Sequence, residues 1–375
     1  MSLFIGTEQT VMEKRFPNLL NARETFQFGL EAEFLLVDYP SLNPLWYKEL
    51  SFKKLNGILE DIPFEDIKGR YDLFHLEAPA KKLMPFVVEG YHLPDKDFNM
   101  VDVLPKGLEI RTPVCDSIEK TLDSYKKLHL RMQKVLEGFN LKAVSLSHHP
   151  TEWEFEGPCN KRRYDYWIWA MEVMTTYGPD INISIPASLL KDFDKKDFEL
   201  KVNYYAPAFT ALSVGSPFFK GDLWKTREGF GKSYRTHKRS VIAPPIEFHG
   251  DEENRFEFKV FDMTPYEKDF HAYFLLFLIL ILNKDLKGRS DKATRIYEMG
   301  EAARLGLDAF GMKEKLAEVL KDGRHVLKHF GFDYSPLNWI ENRIENNWTL
   351  ADELIALHQK RGSLKDSLDF LSEIK

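Results

Sequence analysis

Acidic residues occur at alternate positions in three strand-like segments, residues 29–37, 108–113 and 255–262. The glutamates of these segments are Glu31, Glu33, Glu109 and Glu257. Because successive side chains of a strand point to opposite faces, Glu31 and Glu33 are predicted to share one side of a sheet. Their apolar neighbours would face the other side, which predicts a half-buried sheet with an acidic floor. Hard divalent cations commonly neutralise such a group of carboxylates.

Basic residues accompany two of these acids at the same two-residue spacing. Arg111 follows Glu109 and Lys259 follows Glu257, so each pair is predicted to share a face. Asp102 adds a further acid, seven residues before Glu109. Phosphoryl transfer requires metal ions that bridge phosphate oxygens and cations that stabilise the transferred group. These residue types suit that chemistry, and a solvated sheet face with ordinary ion pairs is the alternative interpretation.

The elements that must position these residues follow from the periodicity of apolar positions. Short strand-like and helical runs alternate from about residue 26 to 265. Within this region, residues 119–137 are predicted to be a helix capped by Asp116 or Ser117. The helices predicted after Pro265 are residues 266–286, 292–304, 312–329 and 348–361. No linker rich in Pro, Gly or Ser separates the two regions, so we expect one domain with a helical C-terminal third.

Composition narrows the class of protein. The chain has 375 residues, 43% of them hydrophobic, and a formal net charge of −6, which is unlike the basic footprint of a nucleic-acid binder. The strongest apolar run, residues 272–282, is shorter than the roughly 20 residues that span a bilayer and predicts a buried core helix. Residues 1–21 lack the apolar region of a signal peptide, and only two cysteines occur. We therefore expect a cytoplasmic protein without membrane or nucleic-acid partners, and homo-oligomerisation stays open.

Several familiar motifs are incomplete. Gly231-Lys232-Ser233 resembles the end of a P-loop, but Thr226 stands where the pattern needs its first glycine. His148-His149 has no further ligand at a zinc-like spacing. If the protein uses ATP, it does so without a P-loop.

Eight segments, in order, resemble the glutamate–cysteine ligase / carboxylate–amine ligase family. Together they extend over about residues 28 to 265. The matching pieces are Gly-Leu-Glu-Ala-Glu-Phe at 29–34, Glu-Ile-Arg-Thr-Pro-Val at 109–114, His-Pro at 149–150, Arg163-Tyr164, Asn-Ile-Ser-Ile at 182–185, Ala-Leu-Ser-Val-Gly-Ser-Pro-Phe at 211–218, Ser-Tyr-Arg at 233–235 and Glu-Phe-Lys-Val-Phe-Asp at 257–262.

The resemblance implies an α+β fold of the glutamine synthetase and guanidino-kinase type. In it, a curved, mainly antiparallel sheet forms the active-site floor and helices flank the sheet. With no linker in the chain, we expect a single catalytic domain over residues 1–375, with a core at about 26–265 and a helical extension at 266–375. The resemblance further implies an ATP- and Mg²⁺-dependent ligase that activates a carboxylate, such as that of glutamate, as an acyl phosphate. An acceptor amine then attacks and forms an amide.

The resemblance also implies roles for individual residues. Arg111 and Lys259 would neutralise the γ-phosphate or the acyl phosphate. Arg235 would hold a substrate carboxylate, where a planar fork suits bidentate pairing. Asn182 and Ser184, with Lys259, would contact the nucleotide. The implied metal ligands are Glu31, Glu33, Asp102, Glu109 and Glu257.

Two residues depart from the family pattern and keep other functions open. Asp180 stands where relatives carry histidine, and Lys259 stands where arginine is usual. A catalytically silent relative that senses or scaffolds a nucleotide or amino acid is one alternative. Phosphotransfer to a guanidino group is another. The basic stretch at residues 225–239 is predicted to be either a solvated loop or a substrate lid.

Overall fold

Residues 25–71, 85–97, 99–191, 193–250 and 254–375 are described in the computed structural model of the chain. Residues 1–21, on which the signal-peptide argument depends, lie outside these ranges.

A seven-stranded sheet carries all of the acids named above. Its strands are β1 (Gln27–Asp38), β2 (Phe86–Pro94), β3 (Met100–Arg111), β4 (Leu141–Val144), β5 (Pro179–Ser184), β10 (Ile246–His249) and β11 (Arg255–Phe258). The strand order is β10-β11-β5-β1-β3-β2, and β4 pairs with β1 off this path. Every pairing is antiparallel, and the sheet is curled, so the predicted fold class is confirmed.

Along the chain, two small hairpins follow β5 and precede β10. Their strands are β6 (Phe218–Phe219), β7 (Asp222–Leu223), β8 (Lys225–Thr226) and β9 (Gly229–Phe230). The second hairpin falls in the basic stretch that was predicted to be a loop or a lid.

Helices flank the sheet and make up most of the C-terminal third. They are α1 (Phe52–Glu60), α2 (Ile118–Glu137), α3 (Tyr164–Val173), α4 (Ala187–Leu190), α5 (Lys195–Ser213), α6 (Tyr234–Arg239), α7 (Glu267–Leu282), α8 (Lys292–Leu305), α9 (Met312–His329), α10 (Leu337–Glu345), α11 (Leu350–Arg361) and α12 (Leu364–Phe370). Short 3₁₀ turns occupy Lys161–Arg163 and Gly306–Asp308. The four helices predicted after Pro265 are confirmed as α7, α8, α9 and α11, whereas α10 and α12 were missed. Ser117 caps α2 as predicted, because its hydroxyl accepts from the Lys120 N–H at 3.2 Å.

The apolar face of the sheet packs against α7. This face includes Phe28, Phe34 and Phe258, each at most 1% exposed. Phe258 stacks on Phe277 of α7 with ring centroids 4.6 Å apart. Helix α7 is apolar nearly all round, which is typical of a helix enclosed by protein. The predicted buried core helix is therefore confirmed, and in the described ranges no helix combines the length and apolarity needed to cross a membrane.

The largest apolar cluster draws residues from both halves of the chain. It extends from Phe28 of β1 to Ile340 of α10. Fully burying one large apolar side chain stabilises a fold by about 1.5–3 kcal/mol, so these shared contacts bind the C-terminal helices to the sheet. This common core supports the single domain proposed from the sequence.

Candidate active site

The strand registers bring the predicted acids side by side on the face opposite the core. Glu31 of β1 stands between Arg111 of β3 and Asp180 of β5. Glu33 pairs with Glu109 in the same two-strand ladder, β1 with β3. Since residues directly opposite on antiparallel strands point to the same face, these side chains form one surface.

The next strand extends this surface to Glu257. Asn182 of β5 pairs with Gly29 on one side and with Glu257 on the other. Its Nδ2 donates to Glu31 Oε1 at 3.3 Å, and its Oδ1 accepts from Arg255 at 2.5 Å. Asn182 therefore links Glu31 of β1 to Arg255 of β11, and its role at the nucleotide stays a prediction.

Basic side chains surround the carboxylate of Glu257. Lys259 Nζ lies 2.6 Å from Oε1, while Arg255 and His249 contact Oε2 at 3.1 and 2.9 Å. Burial works to raise the pKa of Glu257, but the His249 hydrogen bond and the Lys259 charge outweigh it and hold that pKa well below its usual range. Glu257 is thus ionised throughout the physiological range.

Lys259 is the centre of a wider ion-pair cluster. Besides Glu257, its ammonium lies 3.2 Å from Glu247 and 3.7 Å from Asp180. Burial opposes the charged amine, but these carboxylates, Asp180 foremost, raise the pKa of Lys259 well above its usual value. Lysine here acts as a permanent positive charge.

Glu31, Asp180 and Glu257 form a three-carboxylate group. One oxygen from each lies within 4.8 Å of the others. Burial raises the pKa of Asp180 to about 7, although the Lys259 charge works in the opposite direction. The like charges of Glu257 and Glu31 add to the rise. Glu247, His249 and Glu257 form a second group of possible metal ligands, which shares Glu257 with the first.

The other half of the acidic floor is balanced by protein cations. Arg111 Nε lies 2.8 Å from Glu109 and 3.4 Å from Glu31. Burial opposes the charged guanidinium, but the carboxylates around it, Glu109 foremost, raise the pKa of Arg111 well above its usual value. Glu33 accepts from Lys106 Nζ at 2.6 Å and from the Gly178 N–H at 2.8 Å. The four predicted acids Glu31, Glu33, Glu109 and Glu257 thus lie on one face, as expected.

Asp102 lies apart from this group. It is exposed near the start of β3, and its Oδ1 accepts from the Val103 N–H at 2.8 Å. At about 3.3 Å per residue, the strand carries it roughly 20 Å from Glu109. The structure therefore does not bring this predicted metal ligand to the acidic floor.

Arg235 is buried beneath the floor and not displayed on it. Its side chain is 2% exposed, and its Nη1 lies 3.6 Å from Asp262 Oδ1. Its Nη2 donates to the Lys259 carbonyl at 3.2 Å. Burial lowers the pKa of Arg235 to about 10, and the nearby Arg239 adds to the effect. The half-buried Arg239 lines the same pocket as Arg235 and Lys259, so this pocket presents cations suited to a carboxylate or phosphate.

Asn182 and Ser184 line a second pocket at the other end of the acidic floor. Gln27, Gly29 and Arg255 also line this pocket. Ser184 pairs with Gln27 and Arg255 in the strand register. The two residues predicted at the nucleotide therefore share one pocket.

The basic stretch at residues 225–239 does not act as one unit. Lys225 is exposed, whereas Lys232 pairs with Asp352 and Lys238 donates to the Trp153 carbonyl. It folds as the β8–β9 hairpin followed by α6, which carries Arg235. The stretch is therefore not a simple solvated loop, and its role as a substrate lid stays a prediction.

Sequence reasoning assigned no role to five charged or ionisable residues of the site. They are Lys106, Asp180, Glu247, His249 and Arg255. Strand alternation could have found Arg255, which precedes Glu257 by two residues. Glu247 and His249 depend on the pairing of β10 with β11, a long-range fact that local spacing does not contain.

Sequence comparison adds a family match. The profile of glutamate–cysteine ligase family 2 matches residues 27–242, which include β1 to β9 and α6. A protein of Rhodospirillum rubrum, provisionally named glutamate–cysteine ligase 2, is 27% identical over 126 residues. That segment is 32% of this chain and 31% of the relative, so the chain matches less than a third of the relative's length.

Solved structures share the fold over nearly the whole chain. A bifunctional glutathione synthetase from Pasteurella multocida superposes with a TM-score of 0.61 and 14% identity, over 97% of this chain and 53% of its own. A glutamate–cysteine ligase from Francisella tularensis, in complex with AMP, gives a TM-score of 0.58 and 12% identity, over 93% of this chain and 88% of its own. At these identities the likeness concerns the fold alone.

Proposed function

The chain belongs to glutamate–cysteine ligase family 2, and from this premise we propose that it is an ATP- and Mg²⁺-dependent carboxylate–amine ligase. It would activate the side-chain carboxylate of glutamate or of a similar amino acid as an acyl phosphate, which an amine then converts to an amide. The leaving groups are ADP and phosphate.

The three-carboxylate group carries this proposal. Oxygens of Glu31, Asp180 and Glu257 converge within 4.8 Å on one face of the sheet. Carboxylate oxygens are the ligands that Mg²⁺ prefers, so the donor set fits this ion. These three residues would hold Mg²⁺, which would neutralise the charge of the nucleotide phosphates.

The protein's own cations flank these carboxylates. Arg111 lies 3.4 Å from Glu31, and Lys259 lies 3.7 Å from Asp180. Both side chains are mostly buried, and their raised pKa values keep them charged. Fixed positive charge at the place where phosphoryl oxygens gather charge stabilises the transition state without reorganisation.

The two pockets divide the substrates between them. The pocket lined by Asn182 and Ser184 takes the nucleotide, with Arg255 close to its phosphates. Arg239 and Lys259 line the other pocket, which takes the carboxylate substrate, and Arg235 is buried behind them. The family and the geometry leave the acceptor amine open, and the use of ATP fits a cytoplasmic enzyme.

The direct test is amine-dependent release of ADP. Purified protein with ATP, Mg²⁺ and glutamate is incubated with a panel of amines, including cysteine and other amino acids, and ADP is measured. We expect release with at least one amine. Stabilisation by Mg-ATP without turnover across the panel would contradict the ligase and favour a nucleotide sensor. Phosphorylated arginine or creatine in the same assay would instead reveal guanidino phosphotransfer.

A further inference from the structure

Lys106 places an ammonium group inside the acidic floor. The side chain is 7% exposed although it bears a full charge, which is rare unless the charge is paired. Its Nζ donates to Glu33 Oε1 at 2.6 Å and to the Thr176 carbonyl at 2.8 Å, and it lies 5.5 Å from the Tyr177 ring centroid. Three kinds of neighbour therefore hold this ammonium in one position.

A local irregularity of β3 accompanies this placement. Glu89 of β2 pairs with Gly107 and Gly90 pairs with Pro105, so Lys106 stands opposite no residue of β2. Such a bulge breaks the strict alternation of side chains and re-aims one of them. The Tyr177 hydroxyl also donates to the Lys106 carbonyl at 2.9 Å, which fixes the backbone at this point.

Both carboxylate oxygens of Glu33 accept hydrogen bonds from the protein itself. One of its oxygens accepts from Lys106, and the other accepts from the Gly178 N–H at 2.8 Å. The neighbouring Glu109 accepts from Arg111 at 2.8 Å. In this half of the floor, Lys106 and Arg111 therefore balance the charges of Glu33 and Glu109.

We propose that Lys106 takes the place of a second divalent cation, so that the floor binds one metal ion at Glu31, Asp180 and Glu257. Sites of phosphoryl transfer commonly use two metal ions, which neutralise carboxylates and phosphates together. Here a lysine fixed at Glu33 supplies a positive charge of the protein's own. Glu33 is then a positioning residue that holds Lys106 and the Gly178 backbone. The metal site at Glu31, Asp180 and Glu257 and the meaning of the Lys106 charge for catalysis rest on the proposed function, but the pairing of Lys106 with Glu33 does not.

The count can be measured with Mn²⁺ alone, by electron paramagnetic resonance of the free ion at equilibrium with the protein. We expect one Mn²⁺ per wild-type chain. Lys106→Met frees Glu33 beside Glu109 and should create a second site, giving two ions per chain. Adding Glu33→Gln to that variant should return the count to one, and Lys106→Arg should keep it at one because the charge remains.

Lys315→Met is the matched control. Lys315 is also buried, pairs with Glu298 at 2.7 Å and lies 4.1 Å from the Tyr204 ring, but it belongs to α9, outside the acidic floor. It should leave the count at one. Circular dichroism and the urea midpoint identify a variant that has not folded.

The single variant Glu33→Gln tests the inference even if Lys106→Met does not fold. We expect its Mn²⁺ dissociation constant to stay within about threefold of the wild type, because Glu33 is not a ligand. A tenfold weaker constant, or two ions bound to the wild type, would overturn the inference. Expected ion counts in a chain that releases no amine-dependent ADP would instead reject the ligase and leave the role of Lys106 standing.

Discussion

Glu31 and Asp180 stand directly opposite each other on the neighbouring antiparallel strands β1 and β5. Like charges in such a pair destabilise a sheet unless a cation lies between or beside them. Lys259 is 3.7 Å from Asp180, and Arg111 is 3.4 Å from Glu31. The floor is therefore an alternating array of charges, in which removing one member changes the balance of its neighbours.

Asp180→Asn should weaken metal binding. The amide keeps the shape of the side chain but removes one of three negative charges from the proposed ligand group. We expect the Mn²⁺ dissociation constant to rise at least about tenfold, which corresponds to about 1.4 kcal/mol. Isothermal titration with Mn²⁺ measures it, and Asp291→Asn, at the N-cap of α8, is a control remote from the floor. An unchanged constant would remove Asp180 from the ligand group.

Glu257→Gln should abolish ADP release. Glu257 contacts Lys259, Arg255 and His249, and it supplies one oxygen of the three-carboxylate group. Its loss alters the charge of the whole site, and not that of one contact alone. The measurement is ADP formed with the best amine of the panel.

Glu298→Gln is the control for Glu257→Gln, because Glu298 also pairs with a buried lysine, Lys315. It should keep its turnover. An active Glu257→Gln variant would remove Glu257 from the proposed metal site.

The alternation of acids was readable from the sequence because it is a local property of a strand. Glu31, Glu33, Glu109 and Glu257 lie on one face because each strand keeps the two-residue period. Lys106 escaped prediction, since the bulge that re-aims it is set by pairing with β2.

Asp102 and Arg235 show a second limit of prediction from the sequence. Nearness along the chain placed Asp102 beside Glu109, but β3 is extended and separates the two. The charge of Arg235 suggested that its side chain is exposed and contacts substrate. In the structure, α6 packs this side chain against Gly178 and Asp262. Burial of this kind depends on elements far apart in sequence, and residue type alone does not report it.

Gly178→Ala should disturb Arg235. A Cβ at this position would clash with Arg235 Nη2 and lie 2.9 Å from its Cζ, so the guanidinium must move. Overpacking of this kind costs about 1–3 kcal/mol. We expect a lower urea midpoint together with a raised KM for the carboxylate substrate.

Gly300→Ala provides the contrast to Gly178→Ala. It lies within α8 with nothing within 4 Å of the added Cβ, and it should stabilise the fold by up to about 1 kcal/mol. A normal KM in Gly178→Ala would show that the position of Arg235 does not affect substrate binding.

His129→Phe should flatten the dependence of stability on acid pH. His129 is 1% exposed beside Phe34, and burial lowers its pKa to about 4. In the unfolded chain the pKa is about 6.5, so the unfolded state binds the proton first and stability falls as the pH drops from about 6.5 towards 4. Between pH 7 and 4.5 this one group accounts for about 2 kcal/mol of unfolding free energy, which the variant should not lose. Urea unfolding at both pH values measures the difference, and Phe34→Leu disturbs the same cluster while keeping the imidazole. Equal losses in His129→Phe and the wild type would show that His129 takes up its proton without unfolding.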